Sequence, residues 1–356
     1  MILTYFNYKE PGWELAELAP LKTVNLIVGR NATGKSRTIR ALLQVAAFMQ
    51  MKDHFLSSKS FTVDMAFSDP DDTDWNMSYG FKVNEGIVEK ETLSVKGGLL
   101  LKRTRKTARY KEDKINPPSE KLVVQIRRDK ELYPEIERLM QWVEGVTYIS
   151  FSDINPFMVL FPTRLFSPMN FSEIVDSLTD EERKSVLNEA RMLGYNISEM
   201  TTIVNSDIKL VQIKERSVPN RMLDMQLSSG MLRTLYLLCF MQVIKHNRKL
   251  SMLLVDDMGE GLDYGRSTQF GKMIFENCES SGLQLVASSN DAFLMDVVDI
   301  DNWQVLSRKG GKVTTVNRAN NSDMFRKFRM TGLSNFDFFS SDFIDKFISR
   351  QQRANG

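Results

Sequence analysis

Residues Gly29-Arg30-Asn31-Ala32-Thr33-Gly34-Lys35-Ser36 read G-x-x-x-x-G-K-S. Just before them, Val24-Asn25-Leu26-Ile27-Val28 has the short apolar character of a buried strand. Just after them, Thr38 to Met49 (TIRALLQVAAFM) repeats apolar residues at helical spacing. A strand, a glycine-bounded turn and a helix form a phosphate-binding loop. The glycines let backbone N–H groups curl around phosphate oxygens, and the positive end of the helix points at the same anion. In that frame Lys35 reaches the β- and γ-phosphates of a nucleotide and the Ser36 hydroxyl ligates Mg²⁺. The motif arises by chance in a chain of this length on the order of 1% of the time, before its flanks are considered.

The chain has 356 residues, enough for one large domain or two small ones, with 42% hydrophobic and 26% charged residues. A formal net charge of +2 does not impose nucleic-acid binding on the whole surface, so any such surface is local. Two cysteines, Cys239 and Cys278, are too few for a disulfide framework and point to a reducing, cytoplasmic compartment. The start, Met1 to Tyr8, reads as a strand rather than a signal peptide, and the apolar run Leu235–Phe240 is far short of a membrane span. With only His54 and His246, and no Cys/His cluster, metal-nuclease or histidine-based catalysis is disfavoured.

Working outward, residues 2–6 and 24–28 read as strands around a turn at Pro11-Gly12. Residues 61–115 alternate like an antiparallel β-lobe, with a hairpin signal at Asn84-Glu85-Gly86. Lys102 to Lys114 is densely basic. It reads either as a contact with a nucleic-acid backbone, with DNA reached through residues 102–111, or as a solvated strand edge whose lysines discourage pairing. After Asn116-Pro117-Pro118, Ser119 to Val143 is predicted mostly helical, with Pro134 opening a second helix. Val146–Phe151 is a candidate strand, and Pro156, Pro162 and Pro168 punctuate a loop. Asn170 to Leu193 is predicted helical, with a capping box at Thr179 and Glu182 and a stop at Gly194. Later come strands at Ile208–Lys214, Ser251–Val255 and Leu283–Ala287, and helices over Leu227–His246 and Ser267–Cys278. This order predicts an α/β fold with a mainly parallel core sheet, an antiparallel β-lobe and a helical lobe. The whole chain, 1–356, forms one domain. Its parts are 1–60 with the phosphate loop, 61–115 as β-lobe, 116–204 as a mostly helical insertion, and 205–356 with the remaining motifs and tail.

Two further clusters carry chemistry. Asp256-Asp257 ends the apolar strand Met252–Val255. There Asp256 would hold Mg²⁺ opposite Ser36 and Asp257 could polarise an attacking water, although an acidic pair after a strand is also an ordinary helix start. Leu227-Ser228-Ser229-Gly230-Met231 opens a long helix as a second anion site or as a plain N-cap.

Leu227 to Met231 resembles the L-S-G-G-Q signature of ABC-type ATPases, and the order of motifs matches that superfamily: phosphate loop, signature, Asp-Asp, then Gly261-Leu262-Asp263 as a D-loop. Ser288-Ser289-Asn290-Asp291 stands where the family carries its switch histidine. The resemblance covers about half of the chain, its two ends. SMC, RecF and OLD-type heads fit better than transporters. The nearest likeness is to the compact ATPases of bacterial anti-phage and abortive-infection systems, often called AAA proteins, whose C-terminal stretches resemble Thr331 to Phe339.

The resemblance implies ATP and Mg²⁺ as ligands. It implies nucleotide contacts from Gly29 to Arg37 and, across a dimer, from Ser228, Ser229, Gly230 and Asp263. Asp257 occupies the catalytic glutamate position, one methylene shorter, and Asn290 the switch position, where it cannot take a proton at neutral pH. Glu260 is either the compensating catalytic candidate or, since it falls in the D-loop, a contact to the partner subunit. These departures imply slow hydrolysis suited to a switch. Gln50 and Gln125 are both candidates for the Q-loop by order. No TOPRIM-like acidic pattern follows the last strand signal. The phenylalanine-rich tail, Phe325 to Phe347, is either core or a docking surface.

The expected function is an ATPase that forms a homodimer or higher homo-oligomer on ATP, without membrane contact, acting as sensor for a separate effector such as a nuclease or toxin. A nucleotide-gated scaffold with little turnover and a RecF-like DNA-repair ATPase are the alternatives.

Overall fold

The computed structural model describes residues 1–52, 58–154, 170–205, 208–246, 250–341 and 343–344. His54, the prolines 156, 162 and 168, and Phe347 lie outside the described residues. The first half runs β1 (Ile2–Glu10), β2 (Trp13–Leu18), β3 (Val24–Val28), α1 (Lys35–Met49), β4 (Phe61–Asp69), β5 (Asp72–Asn84), β6 (Ile87–Val95), β7 (Gly98–Thr104), β8 (Ala108–Tyr110) and β9 (Asp113–Ile115). Then come α2 (Val123–Ile126), α3 (Pro134–Glu144), β10 (Val146–Ser150), α4 (Phe171–Ser177), α5 (Asp180–Met192), β11 (Ile197–Asn205), β12 (Ile208–Glu215) and β13 (Met222–Leu223). The last part holds α6 (Ser229–His246), β14 (Met252–Asp256), α7 (Tyr264–Ser281), β15 (Gln284–Ser288), α8 (Ala292–Val297), β16 (Trp303–Lys309), β17 (Lys312–Val316), α9 (Ser322–Arg329) and α10 (Asn335–Ser340).

Fourteen of the described strands form one sheet in the order β10-β14-β15-β3-β16-β17-β2-β1-β4-β5-β6-β7-β8-β9. The first five are mutually parallel. The antiparallel strands follow without a break, joined through the β16–β17 hairpin and a parallel β17–β2 pairing of only two residues, Lys312↔Glu14 and Val313↔Leu15. The parallel strands are apolar on both faces because both faces are covered. Leu26, Val28, Leu253, Val255, Leu285 and Ala287 join the core that holds α6 and α7. Ile27, Leu254 and Val286, on the opposite face, join the core that holds α1, α3 and the antiparallel strands. Phe48 of α1 meets Phe61 and Phe81 there, and Trp142 of α3 meets Phe67.

Several local expectations have visible causes. The Glu85-Gly86 turn takes positive φ at both residues (50° and 78°), the twist a two-residue hairpin needs. Thr179 and Glu182 exchange the two bonds of a capping box (3.3 and 2.7 Å). The structure departs from the sequence expectation in four places. Residues 127–133 are not helical: Asp129 Oδ1 accepts from the N–H groups of Glu131 and Leu132, both at 2.8 Å, an Asx turn that competes with helix. The stretch 116–204 holds α2 to α5 and, at the candidate strand 146–151, β10 at the edge of the core sheet; the departure there is β11, which joins β12 and β13 in a separate small sheet. Residues 13–18 form β2. The chain also makes two strands after Ala287, since β16 pairs with β3 in the middle of the sheet.

The basic stretch 102–114 is the end of β7 with β8 and β9, the last three strands of the sheet. The tail phenylalanines Phe325, Phe328, Phe338 and Phe343 pack on one another, and Phe338 also meets Trp303, as core packing requires. No helix among the described residues is long and apolar enough to cross a membrane.

Candidate functional site

β3 delivers the chain to Gly29, and the loop Gly29–Gly34 leads into α1. Gly34 has φ 107°, and the first backward bond of the helix, from Thr38 N–H to Gly34 O, is 2.8 Å long. The N–H groups of Lys35, Ser36 and Arg37 therefore precede the helix's own ladder and suit an anion. A side chain at Gly29 would meet Thr33 Oγ1 at 2.5 Å and the Leu306 carbonyl at 3.2 Å, so the loop closes tightly on itself and on β16. Thr33 N–H and Oγ1 both donate to the Arg30 carbonyl (3.2 and 2.7 Å), and Arg308 of β16 donates to Ala32 O (3.1 Å). Arg30, Asn31 and Ala32 are exposed at the tip.

Lys35 is buried and its Nζ donates to Gly29 O at 2.7 Å. Burial pulls its ammonium below the usual lysine range, partly offset by the charges of Asp257 and Asp256. Arg37 turns aside, ion-paired with Glu10 at 2.7 Å and stacked over Trp13 at 4.6 Å. Thr38 Oγ1, on the first turn of the same helix, is buried without a hydrogen-bond partner.

The parallel pairing of β14 with β15 aligns the ends of those strands, so Asp256 and Asp257 meet Ser288. The buried Ser288 hydroxyl donates to Asp256 Oδ1 (2.5 Å) and accepts from the Asp257 N–H (3.0 Å). Asp257 takes a left-handed backbone, φ 54°, and its Oδ1 accepts from Asn290 Nδ2 at 3.5 Å. Burial raises the Asp257 pKa, and Asp256 and Glu260 add to the rise against Lys35 and Arg40. Tyr148 of β10 is raised by burial and then by Asp256, which places it on the same cluster. Tyr148 and Arg40 had no sequence signal, and Ser288, quoted only as the start of the switch stretch, had none for this role. Ser288 sits in an apolar strand, and its role depends on the register between two strands far apart in the chain.

The hydroxyl of Ser36 and the carboxylate of Asp256 are hard oxygen donors of the kind Mg²⁺ takes together with phosphate oxygens. Among the described residues no group of three or more His, Cys, Asp or Glu could hold a metal alone. A tight loop, free N–H groups and a buried ammonium fit a nucleotide phosphate. A carboxylate with a raised pKa beside them can accept a proton from water.

The remaining candidates form a second group. The Ser228 hydroxyl caps α6 through Met231 N–H (3.3 Å), with Ser228 exposed and Ser229 half-buried. A side chain at Gly230 would meet Gly261 O at 2.6 Å, so the turn sits directly on the loop 259–262. Glu260 is exposed, and its backbone carbonyl accepts from Arg233 Nη1 at 2.8 Å. The same guanidinium donates to Ile154 O and Ser152 O, both at 3.0 Å. Asp263 caps α7 through Arg266 N–H (3.1 Å) and pairs with the Arg266 side chain. Because α1 and α6 lie on opposite faces of the sheet, the structure joins the signature turn to the D-loop stretch of its own chain. Both Q-loop candidates hold backbone: Gln50 donates to Val143 O (2.9 Å) and Gln125 to Phe48 O (2.7 Å).

No family model matches the sequence, and no curated protein matches it. Solved structures do. The SMC head bound to the C-winged helix domain of ScpA aligns with TM-score 0.53 at 13% identity, over 89% of this chain and 98% of that one. The SMC head domain with an extended coiled coil, bound to the C-terminal domain of ScpA derived from Pyrococcus furiosus, gives TM-score 0.53 and 13% identity over 92% and 99%. The α/β fold of this chain is therefore that of SMC heads.

Proposed function

We propose that this chain, with the head fold of SMC proteins, is an ABC-type ATPase that binds ATP with Mg²⁺, hydrolyses it slowly and dimerises on it. The observation that supports this is the tight Gly29–Gly34 loop leading into α1, with the buried Lys35 ammonium donating to Gly29 O at 2.7 Å. Residues 1–356 act as one domain. Gly29 to Arg37 hold the triphosphate, with Lys35 as the cation. Ser36 and Asp256 hold the metal. Asp257 takes the proton of the attacking water, and Asn290 orients the γ-phosphate or that water. Glu260 is the reserve base. Ser228, Ser229, Gly230 and Asp263 complete the site from the partner subunit. A phosphate gripped from both sides gives ATP, and not ADP, a differential affinity for the dimer. The cellular role proposed is the sensor half of a cytoplasmic phage-defence system with its effector, a nuclease or toxin, on another chain. The solved SMC heads are themselves bound to ScpA domains, so docking of a separate protein suits this fold.

The decisive test is complementation. Lys35→Ala and Ser228→Arg should each be inactive alone, and an equimolar mixture should regain ATPase activity through one intact composite site. Ser228→Arg should bind ATP yet stay monomeric in sedimentation, and association at the wild-type level would reduce the signature turn to a helix cap. Asn290, which cannot shuttle a proton, favours a second version in which ATP binding assembles a complex with negligible turnover. Multiple-turnover phosphate release separates the two.

A further inference from the structure

We infer that the outward face of β6 to β9 binds the phosphate backbone of a duplex nucleic acid. The register of the sheet carries this. Lys102 of β7 stands opposite Arg109 of β8, and Arg109 opposite Lys114 of β9, so three cations occupy one continuous cross-strand row. Lys90 of β6 stands in the adjacent row, opposite Thr104. All four are exposed. Like charges directly opposite each other destabilise a sheet, and here the repulsion is repeated across three strands.

Edge protection accounts for little of it. β9 is the edge, but β7 and β8 are paired on both sides and need no lysines to prevent pairing. Nearby carboxylates do not neutralise the row either. Glu89 pairs with Lys82 and Arg105, and Glu91 lies on the inner face with Arg103. Asp64, in the same row, is three strands away from Lys102 on β4. Among the described residues no ion pair involves Lys90, Lys102, Arg109 or Lys114. Arg103 shows what the other face of the same tract does: it is buried and donates to the carbonyls of Pro118, Ser119 and Lys121, a purely architectural use.

The chemistry of the face selects the partner. Beyond Lys102 the row continues through Thr92 and Gly80, and Thr104 stands beside Lys90; the row holds no aromatic side chain, and the exposed Leu99 lies at the far end of β7. Single-strand binding uses aromatic platforms, and protein interfaces use desolvated apolar anchors. Charge and hydroxyl donors alone suit phosphate oxygens, read without sequence preference. The three inter-strand steps from β6 to β9 span about 14 Å, over which a duplex presents roughly four phosphates per strand along its axis.

The test is fluorescence anisotropy with a labelled 30-base-pair DNA of mixed sequence, with and without Mg-ATP. Wild type should bind in at least one of these conditions, with a slope of log K against log salt of about −3.6 for four neutralised phosphates. Replacing Lys102, Arg109 and Lys114 by Gln should cut the slope to about −1 and weaken binding on the order of 100-fold at low salt. These side chains make no buried contact, so melting temperature and ATP affinity should stay at wild-type values, and a failure here leaves the ATPase proposal standing. Lys272→Gln, an exposed lysine on α7, is the control. The inference is overturned by no DNA binding at 50 mM salt, by an unchanged slope in the triple variant, by an equal loss in the control, or by binding to phosphatidylserine vesicles instead of DNA.

Discussion

Asp257→Asn should separate what the acidic pair costs from what it does. Asp257 is half-buried beside Asp256 and Glu260, and burial and those charges raise its pKa. A raised carboxylate pKa means that the folded state prefers the protonated form. The stability it brings is complete below the unfolded value of about 3.9 and is lost as pH rises through the folded value. At neutral pH the wild type therefore carries the full penalty. Asn keeps the shape, tolerates φ 54° and has no charge. After solvent screening at a half-buried site, and with Lys35 and Arg40 offsetting part of the repulsion, the gain is roughly 1 kcal/mol, or about 1–3 °C in melting temperature. Hydrolysis should fall about 10²- to 10⁴-fold, equivalent to about 3–5 kcal/mol of barrier, because a positioned base is lost. Differential scanning fluorimetry from pH 4 to 8 and single-turnover phosphate release check the two halves. The stability gain should shrink as pH falls. A variant that is less stable at pH 7.5, or that gains most at pH 4, refutes the electrostatic account, and wild-type turnover moves the base to Glu260.

Lys35→Ala should weaken ATP binding at least tenfold, roughly 1.4 kcal/mol, in calorimetry, and unchanged affinity means the phosphate loop is misassigned. Ser288→Ala removes a hydrogen bond to a buried carboxylate, about 1.5–3 kcal/mol; the Mg²⁺ concentration needed for ATP binding should rise at least tenfold while metal-free binding is unchanged, and an unaltered Mg²⁺ requirement removes Ser288 from the metal carboxylate's support. Gly230→Ala forces a methyl to within 2.6 Å of Gly261 O, so ATP-dependent association should weaken while ATP affinity holds. Asp257→Glu should hydrolyse faster than wild type, and a slower rate means the shorter side chain is matched to its surroundings.

The central strands and helices were legible because their signals are local. The apolar runs at 24–28, 252–255 and 283–287 are buried on both faces, and the glycines and caps around them act within a few residues. β16 and β17 were not legible because Arg308, Lys309 and Lys312 interrupt their apolar pattern near the hairpin. Their place beside β3 depends on pairing across most of the chain. In the site, the motif residues announced themselves, while the bonding roles of Ser288 and Arg233 did not. A serine in an apolar strand and an arginine in a helix acquire meaning only through partners 31 and 79 residues away.

The seam between β17 and β2, two paired residues backed by bonds from Glu14 N–H to Gly311 O (2.9 Å) and from Thr315 Oγ1 to Glu17 O (2.8 Å), is the narrowest point of the sheet, its neck. Bending or twisting concentrates where a beam is thinnest, and here that section lies against the phosphate loop: the position a side chain would take on Gly34 is 3.4 Å from Val313 and 3.8 Å from Trp13. A loop stiffened by a bound anion should therefore act as a splint at the neck. Slower hydrogen exchange of the Leu15 and Val313 amides on adding nucleotide would register that splinting directly, and unchanged exchange there means the neck is already rigid.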